Sequence, residues 1–352
     1  MKIGIITPAN LWNCPYVDIY RRILDKERVR YDIITWCRDG KNEDGCIQFK
    51  SQKIRNSVQK LFSYFAFASF LRRTIKANKY DKLIVFTPQT GIFISSFLKK
   101  YYKRRYIFDY RDLSIEQKWY FQKPFFRVLD NSSANVISSP GFTRCLPVHE
   151  YLLSHNFDIN AVKNSIGKRD DAQFGSEDMI NVLTIGAIRD YSSNVQVLDA
   201  LANKTHFNIR FVGKGGAAVL LKEHSEQHRI KNVSFVDFYR KPEEAEYVMQ
   251  STFINIFYPR KITHDTAMSN RFYNSLIYKR PMIVTKDTCQ GDFAEKYNVG
   301  VTLSDCCNIE NELIAFMRQD YDAYAERCDQ LLVKFLQDYE LFEKTVIAFV
   351  HS

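Results

Sequence analysis

Short apolar runs and amphipathic segments alternate along this chain in two successive series, and that alternation restricts the fold more than any single motif does. Apolar runs with a period of two, or continuous ones, predict strands; apolar residues at i, i+3 and i+4 predict helices. In the first series strands are predicted at 2–9, 31–36, 45–49, 81–88, 106–113 and 135–142. Helices are predicted at 16–29, 57–80 and 91–105, with a further one beginning at 143–153. Residues 161–178 are polar and lack periodicity, which predicts a linker. The second series has strands at 179–188, 207–215, 232–238, 253–259 and 299–304, with helices at 194–203, 217–230 and 241–251. Its window 269–284, SNRFYNSLIYKRPMIV, reads as a helix that stops at Lys-Arg-Pro and passes into a strand. Residues 321–350 read as a long amphipathic helix with room for one break.

Strands joined by helices of this size pair in parallel, because a parallel neighbour needs a crossover connection. The predicted class is therefore α/β, with two Rossmann-like domains facing across a cleft. The first covers 1–165, the second 175–334, and the C-terminal helix returns to the first domain at about 335–352. Open α/β sheets bind ligands at the carboxyl ends of their strands, so the cleft is the expected site.

Length and composition agree. A chain of 352 residues suits two domains, and 45 % hydrophobic residues suffice for two cores. No run of about 18 uncharged apolar residues occurs, so no membrane-spanning helix is expected. The opening MKIGIITPANLW lacks the long apolar region of a signal peptide and reads as a first strand. Eight scattered cysteines without a C-x-x-C pair fit reduced cytoplasmic thiols rather than disulfides or zinc. His224 and His228 are four apart, but no third ligand stands at metalloprotease spacing and no Asp-x-Asp follows a strand, so no metal is expected.

Charge is uneven. Residues 1–150 hold 27 Lys and Arg against 13 Asp and Glu, so this half carries more than the whole chain's net +10. A basic half suits a polyanion or an anionic membrane surface, unless it is simply a solvated face. From Lys53 to Lys82 the cations interleave with Phe62, Tyr64, Phe65, Phe67 and Phe70, and FLKKYYKRRY (97–106) repeats the theme. Two readings are open: an interfacial helix on anionic lipid, or core aromatics with solvated cations. Nucleic acid is not an expected partner, since no binding motif occurs and the aromatics lie on helices.

Candidate site residues sit at predicted strand ends. In the second half Gly186 and Arg189 follow one strand, Gly213 and Lys214 the next, and Tyr239 and Arg240 a third. Glycine lets a ligand approach the backbone, and cations suit phosphate. Asn270 or Ser269 caps the helix of the 269–284 window, Arg271 adds charge at its N-terminus, and Asn274 lies one turn on along the same face. Together these argue for an anionic, nucleotide-like ligand. In the first half Asp109, Arg111 and Asp112 cluster at a strand end, as a base with an orienting cation or as an ion-paired terminus. Asn13, Tyr16, Gln89, Thr90 and Ser139 stand at neighbouring strand ends.

With these residues in view the chain resembles GT-B glycosyltransferases, in particular the family 4-like enzymes of bacterial capsule and exopolysaccharide synthesis. IFDYRDL looks like that family's D-x-R-D segment, ISSPGF like the loop before the last acceptor-domain helix, VLTIGAIRD like the opening of the donor domain, and SNRFYNSLIYKRPMIV like the P-N-K-x-x-E-x-x-x-x-G-x-P-V-I segment. The correspondence puts Arg271 where the family has Lys, Asn274 where it has its ribose-holding Glu, Thr266 (beside Asp265) at the partner acid and Arg280 at the Gly before Pro. The resemblance implies a metal-independent hexosyl or related transfer from a nucleotide sugar, with no cofactor, to a lipid-linked oligosaccharide acceptor. It implies a cytoplasmic enzyme, peripheral on the inner face of the membrane. The site residues it implies are Asp112, Arg111 and Asp109 for catalysis; Gly186, Arg189, Gly213, Lys214, Tyr239, Arg240, Asn270, Arg271 and Asn274 for the donor; and Asn13, Tyr16, Gln89, Thr90 and Ser139 beside the acceptor. A sugar-nucleotide epimerase of the same fold, and a non-catalytic nucleotide-binding or assembly subunit, are the alternatives; the missing acid pair motivates the second.

Overall fold

The computed structural model describes residues 1–38, 40–51, 56–169, 174 and 179–352. They divide into two compact units, Met1–His155 with Asp338–Ser352, and Asn156–Gln337. In the first, strands β1 (Lys2–Ile6), β2 (Arg30–Cys37), β3 (Cys46–Lys50), β4 (Lys82–Phe86), β5 (Tyr106–Tyr110), β6 (Ala134–Ile137) and β7 (Leu152–Leu153) form one sheet in the order β3-β2-β1-β4-β5-β6-β7. In the second, β8 (Ile180–Ile185), β9 (Phe207–Val212), β10 (Val233–Val236), β11 (Phe253–Ile256), β12 (Met282–Thr285) and β13 (Gly300–Leu303) run in the order β10-β9-β8-β11-β12-β13. Every pairing among the described residues is parallel. Each unit is thus a Rossmann-like α/β layer structure, and strand order reverses once in each: between β1 and β4, and between β8 and β11.

The helices form where an apolar stripe meets a sheet. The Val17–Lys26 helix buries Val17, Ile19, Tyr20, Ile23 and Leu24. Each such side chain contributes about 1.5–3 kcal/mol on burial. The Asn270–Ile277 helix starts at Ser269, whose hydroxyl accepts the Phe272 N–H. It stops where Lys279 takes a positive φ of 52° and Pro281 follows. The final helix, Tyr321–His351, is unbroken. Its last turns supply Phe342, Val346, Phe349 and Val350 to the core of the first unit. Buried Lys82 caps its carboxyl end, donating to the carbonyls of Phe349 and Val350 and to Ser352 Oγ. Within the same unit His155 Nε2 lies 3.0 Å from Asp338 Oδ2, joining the residue at which the chain leaves the unit to the one at which it re-enters.

Several expectations need correction. The helix predicted at 91–105 is two, Pro88–Phe93 and Ser95–Tyr101, because Ile94 leaves helical geometry. The helix predicted from 143 is a 3₁₀ turn at Pro140–Arg144 followed by β7; Pro147 and the short apolar runs prevent a longer one. Part of the predicted linker is the Ile159–Ser165 helix, capped by the Asp158 carboxylate at the Asn160 and Ala161 N–H groups. Residues 170–173 and 175–178 of that stretch lie outside the described residues, as does Lys53. The Trp119–Asn131 helix was not predicted: Phe121, Phe125, Val128 and Leu129 stand at helical spacing, but Pro124 inside it and exposed Trp119 and Tyr120 mask that stripe. No described helix is long and apolar enough to cross a membrane.

Candidate functional site

The second unit carries a recess of about 350 Å³ at the carboxyl ends of β8 and β11, where its strand order reverses. Six of the sequence-predicted donor residues line it: Gly186, Arg189, Tyr239, Asn270, Arg271 and Asn274. An adjoining recess of about 350 Å³ shares Gly186, Ala187 and Tyr239 with the first and adds Gly213, Lys214, Asp237, Phe238 and Lys241. Together they form one bipartite site over the ends of β8, β9, β10 and β11.

The glycines have a steric cause. Gly186 and Gly213 adopt φ of 99° and 123°, which L side chains rarely tolerate. A Cβ on Gly213 would lie 2.1 Å from the Gly186 carbonyl oxygen, and one on Gly215 would lie 1.9 Å from that of Ile188. The two turns are packed backbone to backbone and bonded by Ile188 N–H to Lys214 O at 3.0 Å, so this is a fixed shelf and not a flexible loop. Lys214 stays exposed, with its ammonium 5.4 Å from the Phe238 ring centroid.

The cations divide into two kinds. Arg189 is exposed at the rim, and among the described residues nothing engages its guanidinium. Arg271 is buried, and its fork donates to the carbonyls of Ile185, Asn255 and Ala187, the last two at 3.3 and 3.1 Å. It ties the ends of β8 and β11 together and leaves a positive charge under the floor of the recess. Arg240 is corrected: it lines neither recess, and its guanidinium pairs with Glu243 across one turn. Arg280 is likewise consumed, donating to Met249 O at 2.8 Å.

Acidic groups in the recess escaped the sequence reading. Glu244, on the Glu244–Met249 helix, is buried there. Its Oε1 accepts from Asn274 Nδ2 and Lys241 Nζ, both at 2.6 Å, and its Oε2 accepts from Tyr239 OH at 2.9 Å. Burial pushes the Glu244 pKa up, but the hydrogen bond and charge of Lys241, with those of Asn274 and Tyr239, outweigh it and hold the group below its ordinary value. Asp190 and His264 also line the recess, with Lys261 Nζ 3.3 Å from the Asp190 carboxylate. The signal for Glu244 was the Glu-Glu pair following Tyr239 and Arg240. Thr266, at the other acid position, is buried and donates to Ile262 O, and Asp265 is paired with Arg260.

In the first unit Asp109, Arg111 and Tyr16 do come together, but inward. Asp109 is fully buried at the end of β5, accepting from Tyr20 OH and Arg111 Nη2, each at 2.7 Å. Arg111 also donates to Ser154 O and Oγ, and its guanidinium carbon lies 4.9 Å from the Tyr16 ring centroid. Burial pushes the Asp109 carboxyl up while Arg111 opposes it. A catalytic role in direct contact with substrate is therefore corrected for Asp109 and Arg111: Asp109 is fully buried, Arg111 is buried with its guanidinium committed to Asp109 and Ser154, and the pair braces the strand end. Asp112, next in the chain, is exposed; protein crowding one side of its carboxyl raises its pKa, and Arg111 counteracts this.

The acceptor-side candidates scatter. Asn13 is exposed, Tyr16 and Gln89 are half-buried, and Thr90 and Ser139 are buried. Ser139 accepts the Gly141 N–H at 3.1 Å as a turn cap. Thr90 Oγ1 is 3.5 Å from Thr87 Oγ1. Among the described residues no group of three or more His, Cys, Asp or Glu is arranged to hold a metal.

No protein-family model matches the chain, and no curated protein matches it. Solved structures match in fold. Sucrose-phosphate synthase from Thermosynechococcus elongatus superposes over 100 % of both chains with a TM-score of 0.71 at 12 % identity. The apo form of the lipopolysaccharide outer core galactosyltransferase WaaB covers 99 % of both at 0.68 and 14 %. Anabaena HepE in complex with UDP covers 99 % of this chain and 100 % of its own at 0.69 and 13 %. The fold is the GT-B glycosyltransferase fold.

Proposed function

We propose that this chain is a glycosyltransferase that moves a hexosyl or related group from a nucleotide sugar to a lipid-linked oligosaccharide acceptor in surface-polysaccharide synthesis. The observation that carries the proposal is the bipartite recess over the strand-order reversal of the second unit, lined by glycine turns, an arginine unengaged among the described residues and a helix N-terminus. Proteins of this fold include one solved with UDP and one described as bound with UDP-2-fluoro glucose. The donor's diphosphate lies against Arg189 and the first turn of the Asn270–Ile277 helix, where backbone N–H groups and the helix dipole favour negative charge. These groups stabilise the charge that develops on the leaving diphosphate without a metal. Asp112 is the exposed carboxylate we assign to the acceptor, as base in an inverting reaction or as an orienting group in a retaining one.

The acceptor's lipid fits the surface of the first unit. No Asp or Glu occurs between Asp44 and Asp81. The described part of this stretch exposes Leu61, Phe62 and Phe65 on the Ser57–Asn78 helix. Rings continue from Phe65 through Phe93, Phe121 and Tyr120 to Trp119, with successive centroids 4.7–5.7 Å apart. Tyr64 and Phe67, by contrast, are buried as core aromatics. Exposed rings amid cations support a cytoplasmic enzyme docked on anionic lipid. Co-sedimentation with anionic vesicles that weakens with salt is expected; no binding to them would count against the docking.

A thermal-shift panel of UDP-, GDP- and dTDP-sugars tests the donor reading. Stabilisation by one class is expected, and none by any would refute it. A non-catalytic nucleotide-binding subunit is favoured by one observation, the absence of acids at Asn274 and Thr266; it predicts the same shift with no transfer.

A further inference from the structure

We infer that Glu244, the carboxylate held in the recess by Asn274, Tyr239 and Lys241, is the residue that reads the ribose of the bound nucleotide. The inference rests on the donor reading above and deepens it. Its starting point is position. Glu244 lines the recess that holds Arg189 and the helix N-terminus, and its partners Tyr239 and Lys241 line the adjoining recess with Phe238. It thus sits where the two recesses meet. A nucleoside diphosphate spanning both, with its diphosphate against Arg189 and the helix N-terminus as assigned above, reaches with its base into the adjoining recess beside Phe238, where Lys214 and Lys241 also stand. Its sugar then crosses the junction.

The chemistry fits a diol. Ribose offers two O–H donors, and a carboxylate is the side chain that accepts without donating. Glu244 is held as an anion by its neighbours despite burial. Asn274 and Tyr239 both hold it, and among the described residues Tyr239 is the one partner of Oε2, so an oxygen able to accept a second bond remains. Asn274 is therefore a positioning residue: it donates to Glu244 and carries no charge itself. Asn274 on the Asn270–Ile277 helix and Glu244 on the Glu244–Met249 helix both face one recess. A charge-assisted hydrogen bond of this kind is worth about 1.5–3 kcal/mol, roughly tenfold to a hundredfold in affinity.

The test uses the full chain and isothermal titration with UDP, GDP, and their 2′-deoxy counterparts. Wild type is expected to prefer the ribonucleotide by about tenfold or more. Glu244→Gln is expected to weaken ribonucleotide binding by about that factor and to bring the two forms level. Asn274→Asp in the Glu244→Gln background returns a carboxylate to the recess and is expected to restore the preference, which a merely structural role would not do. Should Glu244→Gln fail to fold, Asn274→Ala, which withdraws the donor at Oε1, is expected to lower the ratio. An unchanged ratio in the folded Glu244→Gln protein, or in Asn274→Ala if that protein does not fold, overturns this inference and leaves the donor reading intact. If wild type binds no nucleotide, both fall together.

Discussion

The Arg271 guanidinium donates to the main-chain carbonyl of Ile185, the last residue of β8, and from there also reaches Asn255 and Ala187. One side chain therefore satisfies three carbonyls at the point where the sheet order reverses. Arg271→Met leaves them without that partner and is expected to lower stability by about 3 kcal/mol in urea unfolding. Arg271→Lys is expected to recover only part, since an ammonium cannot reproduce the planar fork. An unchanged midpoint for Arg271→Met would show that the fork does not brace the site.

Arg189 is the opposite case. It is exposed and unengaged among the described residues, so its loss has little to break. Arg189→Ala is expected to change stability by less than about 0.5 kcal/mol. Nucleoside diphosphate affinity is expected to fall by roughly tenfold to a hundredfold. Equal affinity in wild type and variant would remove Arg189 from the phosphate end.

Asp112→Asn is expected to abolish transfer while leaving nucleotide binding intact. Because crowding raises the Asp112 pKa, a base at this position loses activity as pH falls through a value above the usual carboxylate figure of about 3.9. Full turnover in the variant would exclude it as the base.

Acid sensitivity has an identifiable contributor in Asp329. Burial raises its pKa, but Lys279, Arg169 at 2.8 Å and the Gly167 N–H outweigh this and hold it below the ordinary value. A depressed carboxyl stabilises the fold above its unfolded value of about 3.9, and that contribution is lost as pH falls through the folded value. Asp329→Asn is expected to flatten the stability-versus-pH curve below about pH 4 and to lower stability at neutral pH. A curve parallel to wild type would contradict this.

The class and the two-unit order were legible because parallel β-α alternation is a periodic property, written in runs such as KLIVF and FINI. The Trp119–Asn131 helix was not, since Pro124 and the exposed Trp119 and Tyr120 mask its stripe of Phe121, Phe125, Val128 and Leu129. Strand ends are where open sheets bind ligands, and position alone grouped Gly186, Arg189, Asn270 and Asn274, which line one recess. What residues do once there depends on partners distant in sequence. Asp109 looked like a catalytic acid until Tyr20, 89 residues away, and Arg111 enclosed it. Glu244 lies 30 residues from Asn274, and only folding brings its carboxylate to the recess.

The central claim is that a nucleoside diphosphate occupies the recess of the second unit. Hydrogen–deuterium exchange of the full chain, with and without the nucleotide that stabilises it most, tests this directly. Slowed exchange is expected in peptides covering 185–191, 237–245 and 269–275. Protection confined to other segments, with these three unchanged, would contradict it.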